Sequence, residues 1–153
     1  GWLQYASRRI GLEDGRGVLV GIDLLETEPV MGASILKGDI NDDAMMAEMI
    51  RLIDGKADLV LSDMAADTTG HRPTDHIRTT LLLDLALDMA QRVLTPGGAF
   101  LAKCFRGGAE RDALELMRRD FATVRHVQPA ASRQESVESY VLATGFRGGR
   151  HEA

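Results

Sequence analysis

The chain has 153 residues, 44% hydrophobic and 27% charged, with a formal net charge of −5. That suits one globular domain, which at this size buries about 70% of its unfolded surface. Aromatic residues make up only 5%, too few for the base-stacking surface of a single-strand binder, and the negative charge weighs against a nucleic-acid partner without excluding a local basic patch. Cys104 is the single cysteine, so an internal disulfide is excluded and a reducing, cytoplasmic setting is favoured. No apolar run approaches the roughly 20 residues of a membrane span. No signal peptide is visible, and the opening Gly1-Trp2-Leu3 reads as the interior of a protein.

Taken in order, Gly1 to Ile10 reads as a helix with Leu3, Ala6 and Ile10 on one face, stopped by Gly11. After a turn at Glu13 to Gly17, Val18 to Ile22 reads as a buried strand ending in Asp23. Ala33 to Lys37 is a short strand followed by Gly38-Asp39. Asn41 or Asp42 caps a helix in which Met45, Met46, Met49, Ile50 and Ile53 fall at three- and four-residue spacing. A core stripe explains that spacing better than an adaptable, methionine-lined binding face.

Ala57 to Ser62 is an apolar run with turn signals before it, predicting a strand buried on both faces, and Asp63 marks its end. A polar loop through Thr74 leads into the strongest helical pattern, Asp75 to Leu94. There Ile77, Leu81, Leu85, Met89 and Val93 recur every four residues, with Asp84, Asp88 and Gln91 on the solvent side. Thr95-Pro96-Gly97-Gly98 ends this helix, and Ala99 to Ala102 is another buried strand with Lys103 at its end. Ala109 to Arg119 predicts an amphipathic helix turning Ala113, Leu114, Met117 and then Phe121 inward. Thr123 to Val127 and Ser139 to Thr144 read as two closing strands around a polar loop, and Gly145 to Ala153 as a frayed tail, the domain itself closing by residue 147. Strand and helix alternate throughout, which predicts an α/β fold with a largely parallel sheet and helices on both faces.

Asp23, Asp39, Asp63 and Lys103 each fall at the end of a separate predicted strand. Those ends share one edge of a parallel sheet, so the four should line one crevice, the place where open α/β sheets bind ligands. Singly, each aspartate is as readily a helix cap or a turn former. The first two suit a nucleoside, one carboxylate accepting ribose hydroxyls and the other an exocyclic amine. Lys103, partly desolvated and beside Asp63, has the chemistry of a tuned general base, the plain alternative being a surface lysine or a simple ion pair.

Other chemistries lack their motifs. Gly15-Arg16-Gly17 and Gly97-Gly98 precede strands instead of following them, which disfavours a nicotinamide enzyme. Ser62 has no nucleophile elbow and Cys104 no evident activating partner, which disfavours acyl transfer. His71, Asp75 and His76 read as solvated loop residues sooner than as a metal site.

Several motifs together carry a resemblance to a known family. They are Asp23-Leu24-Leu25, Gly38-Asp39, Ser62-Asp63-Met64-Ala65, Pro96-Gly97-Gly98 with Lys103 after it, Ser132-Arg133, Glu138-Ser139-Tyr140 and Ala143-Thr144-Gly145. In order and spacing they resemble the FtsJ/RrmJ ribosomal RNA methyltransferases over nearly the whole chain, and Thr69-Gly70-His71 with Thr74-Asp75-His76 looks like the alphaproteobacterial branch. The resemblance implies a Rossmann-like methyltransferase fold and transfer of a methyl group from S-adenosylmethionine to a uridine ribose 2′-hydroxyl of large-subunit ribosomal RNA. It implies that Asp23 holds the cofactor ribose and Asp39 the adenine, with Gly1 and Trp2 along the cofactor and Asp63 beside the methionine moiety. Lys103, Asp63 and Glu138 match three members of the family's catalytic lysine–aspartate–lysine–glutamate set, Lys103 as principal base. The partner implied is ribosomal RNA or a ribosomal particle, with no membrane and no metal.

The chain departs from the family at its start. Only Gly1-Trp2 matches the family's Pro-Gly-Gly-Trp turn, so the first strand, the glycine-rich cofactor loop and one catalytic lysine are expected to be missing, leaving open strand edges. Asp67 also adds negative charge where the family usually has Asn. Two rival readings stand beside this one: an RNA- or ribosome-binding remnant without chemistry, Arg72, Arg78, Arg106 and Arg133 rimming the crevice, and an S-adenosylmethionine enzyme acting on a small molecule.

Overall fold

The computed structural model describes residues 2–11, 17–23, 29–30, 32–63, 70–105, 110–127 and 138–148. The chain divides into two compact units, Gly1–Lys56 and Ala57–Ala153.

The first unit contains α1 (Trp2–Ile10), β1 (Leu19–Asp23), β2 (Ala33–Lys37) and α2 (Asp43–Leu52). α1 stops at Gly11, whose φ of 82° is the left-handed conformation a glycine adopts without a side-chain clash. β1 and β2 run parallel, in register from Leu19 opposite Ala33 to Asp23 opposite Lys37. Asp42 is the N-cap of α2, its side chain accepting a 3.0 Å hydrogen bond from the Ala44 amide. Met46 and Met49 of α2 are buried, so the methionine spacing is a packing stripe.

The second unit contains β3 (Ala57–Ser62), α3 (Arg72–Val93), β4 (Leu94–Phe105), α4 (Arg111–Asp120), β5 (Phe121–Val127) and β6 (Glu138–Phe146). Its sheet has the order β3-β4-β6-β5. β3 and β4 are parallel, while β6 lies antiparallel between β4 and β5. β3 reaches β4 by way of α3, as a parallel crossover requires. One face of this sheet presents Phe100, Ala102, Cys104, Val141 and Ala143, with Val60 at its margin, to Leu83, Ala86, Leu87 and Ala90 of α3 and Ala113, Leu114 and Met117 of α4. Phe121 joins that core between Phe100 and Phe146, with ring centroids 6.5 and 5.1 Å away.

Several expectations need correction. β3 is not buried on both faces, for Leu59 and Leu61 remain 50% and 37% exposed. Among the described residues its one hydrogen-bonded neighbour is β4, which places it at the end of this sheet's strand order. α3 begins at Arg72, three residues early, because Pro73 suits a first helical turn, and Asp75 is buried instead of solvated. The four-residue repeat of α3 holds at Met89 and Val93, which are buried, but misplaces the inner face of the helix's first half. Ile77 and Leu81 are more than half exposed, whereas Thr79, Leu83, Ala86, Leu87 and Ala90 are buried. A helix turns about 100° per residue, so a repeat of four drifts by about 40° each time and by about 160° from Ile77 to Val93. The buried set keeps the true period. At the end of the chain, Gly145 and Phe146 belong to β6 and not to a tail, and Phe146 is 3% exposed.

Candidate active site

The face of the second sheet opposite the core carries the charged residues. Register places Leu61 opposite Leu101, Leu101 opposite Leu142, and Lys103 opposite Tyr140. Side chains alternate along a strand, so this face follows β4 through Leu101 and Lys103 while Ala102 and Cys104 point into the core. Lys103 therefore lies within β4, two residues short of its end, and not just beyond the strand as its sequence context suggests. Asp63 follows directly on the last residue of β3.

These placements bring two side chains onto one oxygen of a third. Lys103 Nζ lies 3.2 Å from Asp63 Oδ1, and the Tyr140 hydroxyl donates to the same Oδ1 at 2.8 Å. The lysine side chain is 16% exposed and the aspartate 47%, so a mostly covered lysine stands beside a half-exposed carboxylate. Tyr140 stood inside a sequence motif without a role. Its contact depends on the β4–β6 register, which no local pattern announces.

Glu138 opens β6, its Cα paired with Phe105 two positions from Tyr140, and its side chain lies outside the described residues. So do Gly1 and the side chain of Trp2, the latter residue lying in α1. Of the four arginines named for phosphate contact, Arg78 is exposed on α3, and the side chains of Arg72, Arg106 and Arg133 are outside the described residues.

In the first unit, Asp23 is the last residue of β1 and Asp39 follows two residues after β2. Because the strands are parallel and in register, both carboxylates stand at the same edge, tied by the Gly38 amide donating to the Asp23 carbonyl at 2.9 Å. Both residues are exposed. Asp39 does form a turn, its Oδ1 accepting from the Asn41 amide at 2.9 Å and from Asn41 Nδ2 at 3.1 Å, contacts that both use the same carboxylate oxygen. Two acceptor carboxylates at the carboxyl ends of adjacent parallel strands fit the hydroxyl and amine donors of a nucleoside.

On the core side, Cys104 has neighbours that sequence did not reveal. Its Sγ is 3.6 Å from Ser139 Oγ and 3.8 Å from His126 Nδ1, and Ser139 Oγ is 3.1 Å from that nitrogen. Cys104 and Ser139 are each 1% exposed, while His126 is half-buried. Among the described residues no group of three His, Cys, Asp or Glu side chains could hold a metal ion, and no helix is long and apolar enough to cross a membrane. His71 Nδ1 is engaged with Thr74 Oγ1 at 2.7 Å, one turn into α3.

The FtsJ-like methyltransferase family model matches residues 1–146. The chain belongs to the FtsJ-like methyltransferase family. Curated relatives named ribosomal RNA large subunit methyltransferase E agree with this. One from Azorhizobium caulinodans is 51% identical over 97% of this chain, and one from Bradyrhizobium diazoefficiens is 54% identical over 97%. The chain spans 62% and 65% of their respective lengths. A solved structure from Plasmodium falciparum, named for a ribosomal RNA methyltransferase, superposes with a TM-score of 0.77 at 21% identity, covering 96% of this chain and 81% of that one. Human methyltransferase-like protein 13, in complex with SAH, superposes with a TM-score of 0.58 at 14% identity over 93% of this chain and 68% of that one. At those identities the two structures speak for the fold, which is the Rossmann-like methyltransferase fold.

Proposed function

We propose that this chain is the methyltransferase portion of an enzyme that methylates a uridine ribose 2′-hydroxyl in large-subunit ribosomal RNA, with Lys103 as general base. The observation that carries this reading is the Lys103–Asp63 pair at 3.2 Å, on an open sheet face at a strand end. Family membership and the relatives' name supply the substrate class. Ribosomal RNA or a ribosomal particle is then the partner, in the cytoplasmic setting that a lone cysteine favours.

S-adenosylmethionine, when bound, would supply an electrophilic methyl carbon whose bond to sulfur breaks with a neutral thioether as leaving group, and Asp23 and Asp39 are the residues that would accept its ribose hydroxyls and adenine amine. A ribose hydroxyl is a weak nucleophile, so the protein has to align it and take its proton as the new carbon–oxygen bond forms. Lys103 Nζ, acting as the free amine, receives that proton and becomes the ammonium. Asp63 holds the nitrogen in place through Oδ1 and stabilises the ammonium that results. Glu138, near the start of β6, is assigned to orient the hydroxyl.

The test is replacement of Lys103 by Met, followed by transfer of labelled methyl from S-adenosylmethionine to large-subunit ribosomal RNA and by calorimetric titration with the cofactor. The relative from Azorhizobium caulinodans serves as the positive control. Loss of the base should slow methylation by about 10²–10⁴-fold with cofactor affinity retained. Undiminished methylation would remove Lys103 from the chemistry. Salt-sensitive RNA binding by the unaltered chain, with no cofactor affinity, would favour the binding remnant instead.

A further inference from the structure

We infer that Tyr140 is a positioning residue for the Lys103–Asp63 pair, acting through its hydroxyl. The inference rests on the catalytic reading above and adds to it a residue for which the sequence suggested no role.

The argument begins with register. Tyr140 and Lys103 are directly opposed on antiparallel β6 and β4, so their side chains leave the same face of the sheet as a cross-strand pair. Asp63 directly follows β3, the neighbour of β4 on the other side. The carboxylate is therefore gripped from two strands. Lys103 Nζ at 3.2 Å and the Tyr140 hydroxyl at 2.8 Å converge on a single oxygen, Oδ1. A lone salt bridge leaves a carboxylate of this exposure free to rotate about its terminal bond and to exchange its oxygens, because one long lysine chain restrains it weakly. A second donor from a rigid phenol, itself fixed in a sheet, sets the plane of the group. With Oδ1 engaged by both donors, Oδ2 is the oxygen assigned to meet the reacting hydroxyl. Tyr140 thereby fixes the direction from which Lys103 and Asp63 address that hydroxyl, without touching the reacting atoms itself.

The substitution that isolates this role is Tyr140→Phe, which deletes the hydroxyl and keeps the ring. In the intact protein it should lower kcat about tenfold, the loss expected when one charge-assisted hydrogen bond stops ordering a catalytic group. KM for RNA, the dissociation constant of S-adenosylmethionine and the thermal midpoint should stay close to their original values. In an Asp63→Asn background the same substitution should cost little more, because its effect runs through Asp63. An unchanged kcat overturns the inference. So does a fall in kcat matched by a fall in thermal midpoint or a rise in KM, which marks a packing residue, and so does a full additional loss in the Asp63→Asn background. Lys103→Met separates the two levels. If it leaves methylation intact, the catalytic reading itself fails; if it abolishes methylation while Tyr140→Phe changes nothing, only the positioning role falls.

Discussion

Two leucines on α3, two residues apart, give the sharpest check on how the fold is packed. Leu83 is 2% exposed and Leu81 58%, although the four-residue repeat in the sequence favours Leu81 for the core. Leu83 packs in the main cluster with Ala86, Leu87, Phe100 and Met117, and truncating such a buried leucine to alanine costs about 3 kcal/mol once the cavity is counted. Burying a whole leucine is worth about 1.5–3 kcal/mol, so the two-fifths of Leu81 that is covered amounts to about 0.6–1.2 kcal/mol. The better helix propensity of alanine returns about 0.2 kcal/mol of that. For a chain of this length each kcal/mol moves the thermal midpoint by about 2–4 °C. Leu83→Ala should therefore lower it by about 6–12 °C and Leu81→Ala by no more than about 4 °C. Thermal unfolding followed by far-ultraviolet circular dichroism reads the difference. Equal losses in the two variants would mean that α3 is rotated from the orientation described, and the core assignment would fail with it.

Three further outcomes follow from single sites. A Cβ at Gly98 would lie 2.9 Å from the Thr95 carbonyl oxygen and 3.1 Å from that of Asp58, so Gly98→Ala forces backbone apart and should cost about 1–3 kcal/mol in urea unfolding. Phe146→Ala should cost about 3 kcal/mol or more, as for any buried ring, whereas a residue in a frayed tail would cost nothing measurable. Partial desolvation, and then the Asp112 carboxylate, raise Asp84 above its ordinary value of 3.8. The folded state then holds the Asp84 proton more tightly than the unfolded chain, so stability is lost as pH climbs from 3.8 through the raised value. Asp84→Asn should accordingly raise the thermal midpoint at pH 7, an advantage that disappears below pH 3.8; an equal effect at both pH values would contradict the sign.

Much of this was legible in the chain because it is local. β2 and β3 were delimited by short apolar runs between turn formers, and α4 by a clean inward set of Ala113, Leu114 and Met117. The charged residues at strand ends were equally visible, since Asp63 and Lys103 interrupt apolar runs. The misreadings share one cause, namely that exposure belongs to the assembly. An apolar strand looks doubly buried whether it sits in the middle of a sheet or at the end of its strand order, as β3 does, and a repeat of four resembles the helical period until it has drifted half a turn along α3.

The sequence by itself determined the family, the alternation of strands and helices, and the identity of the residues capable of acid–base and nucleoside chemistry, because propensity, capping and motif spacing are properties of neighbours along the chain. Only the tertiary structure decided that β6 enters between β4 and β5, that Lys103 stands inside its strand, and that Tyr140 shares one oxygen of Asp63 with it. Each of these depends on which strands pair and in what register, and register is settled by the burial of a whole sheet face, a sum over residues distant in sequence.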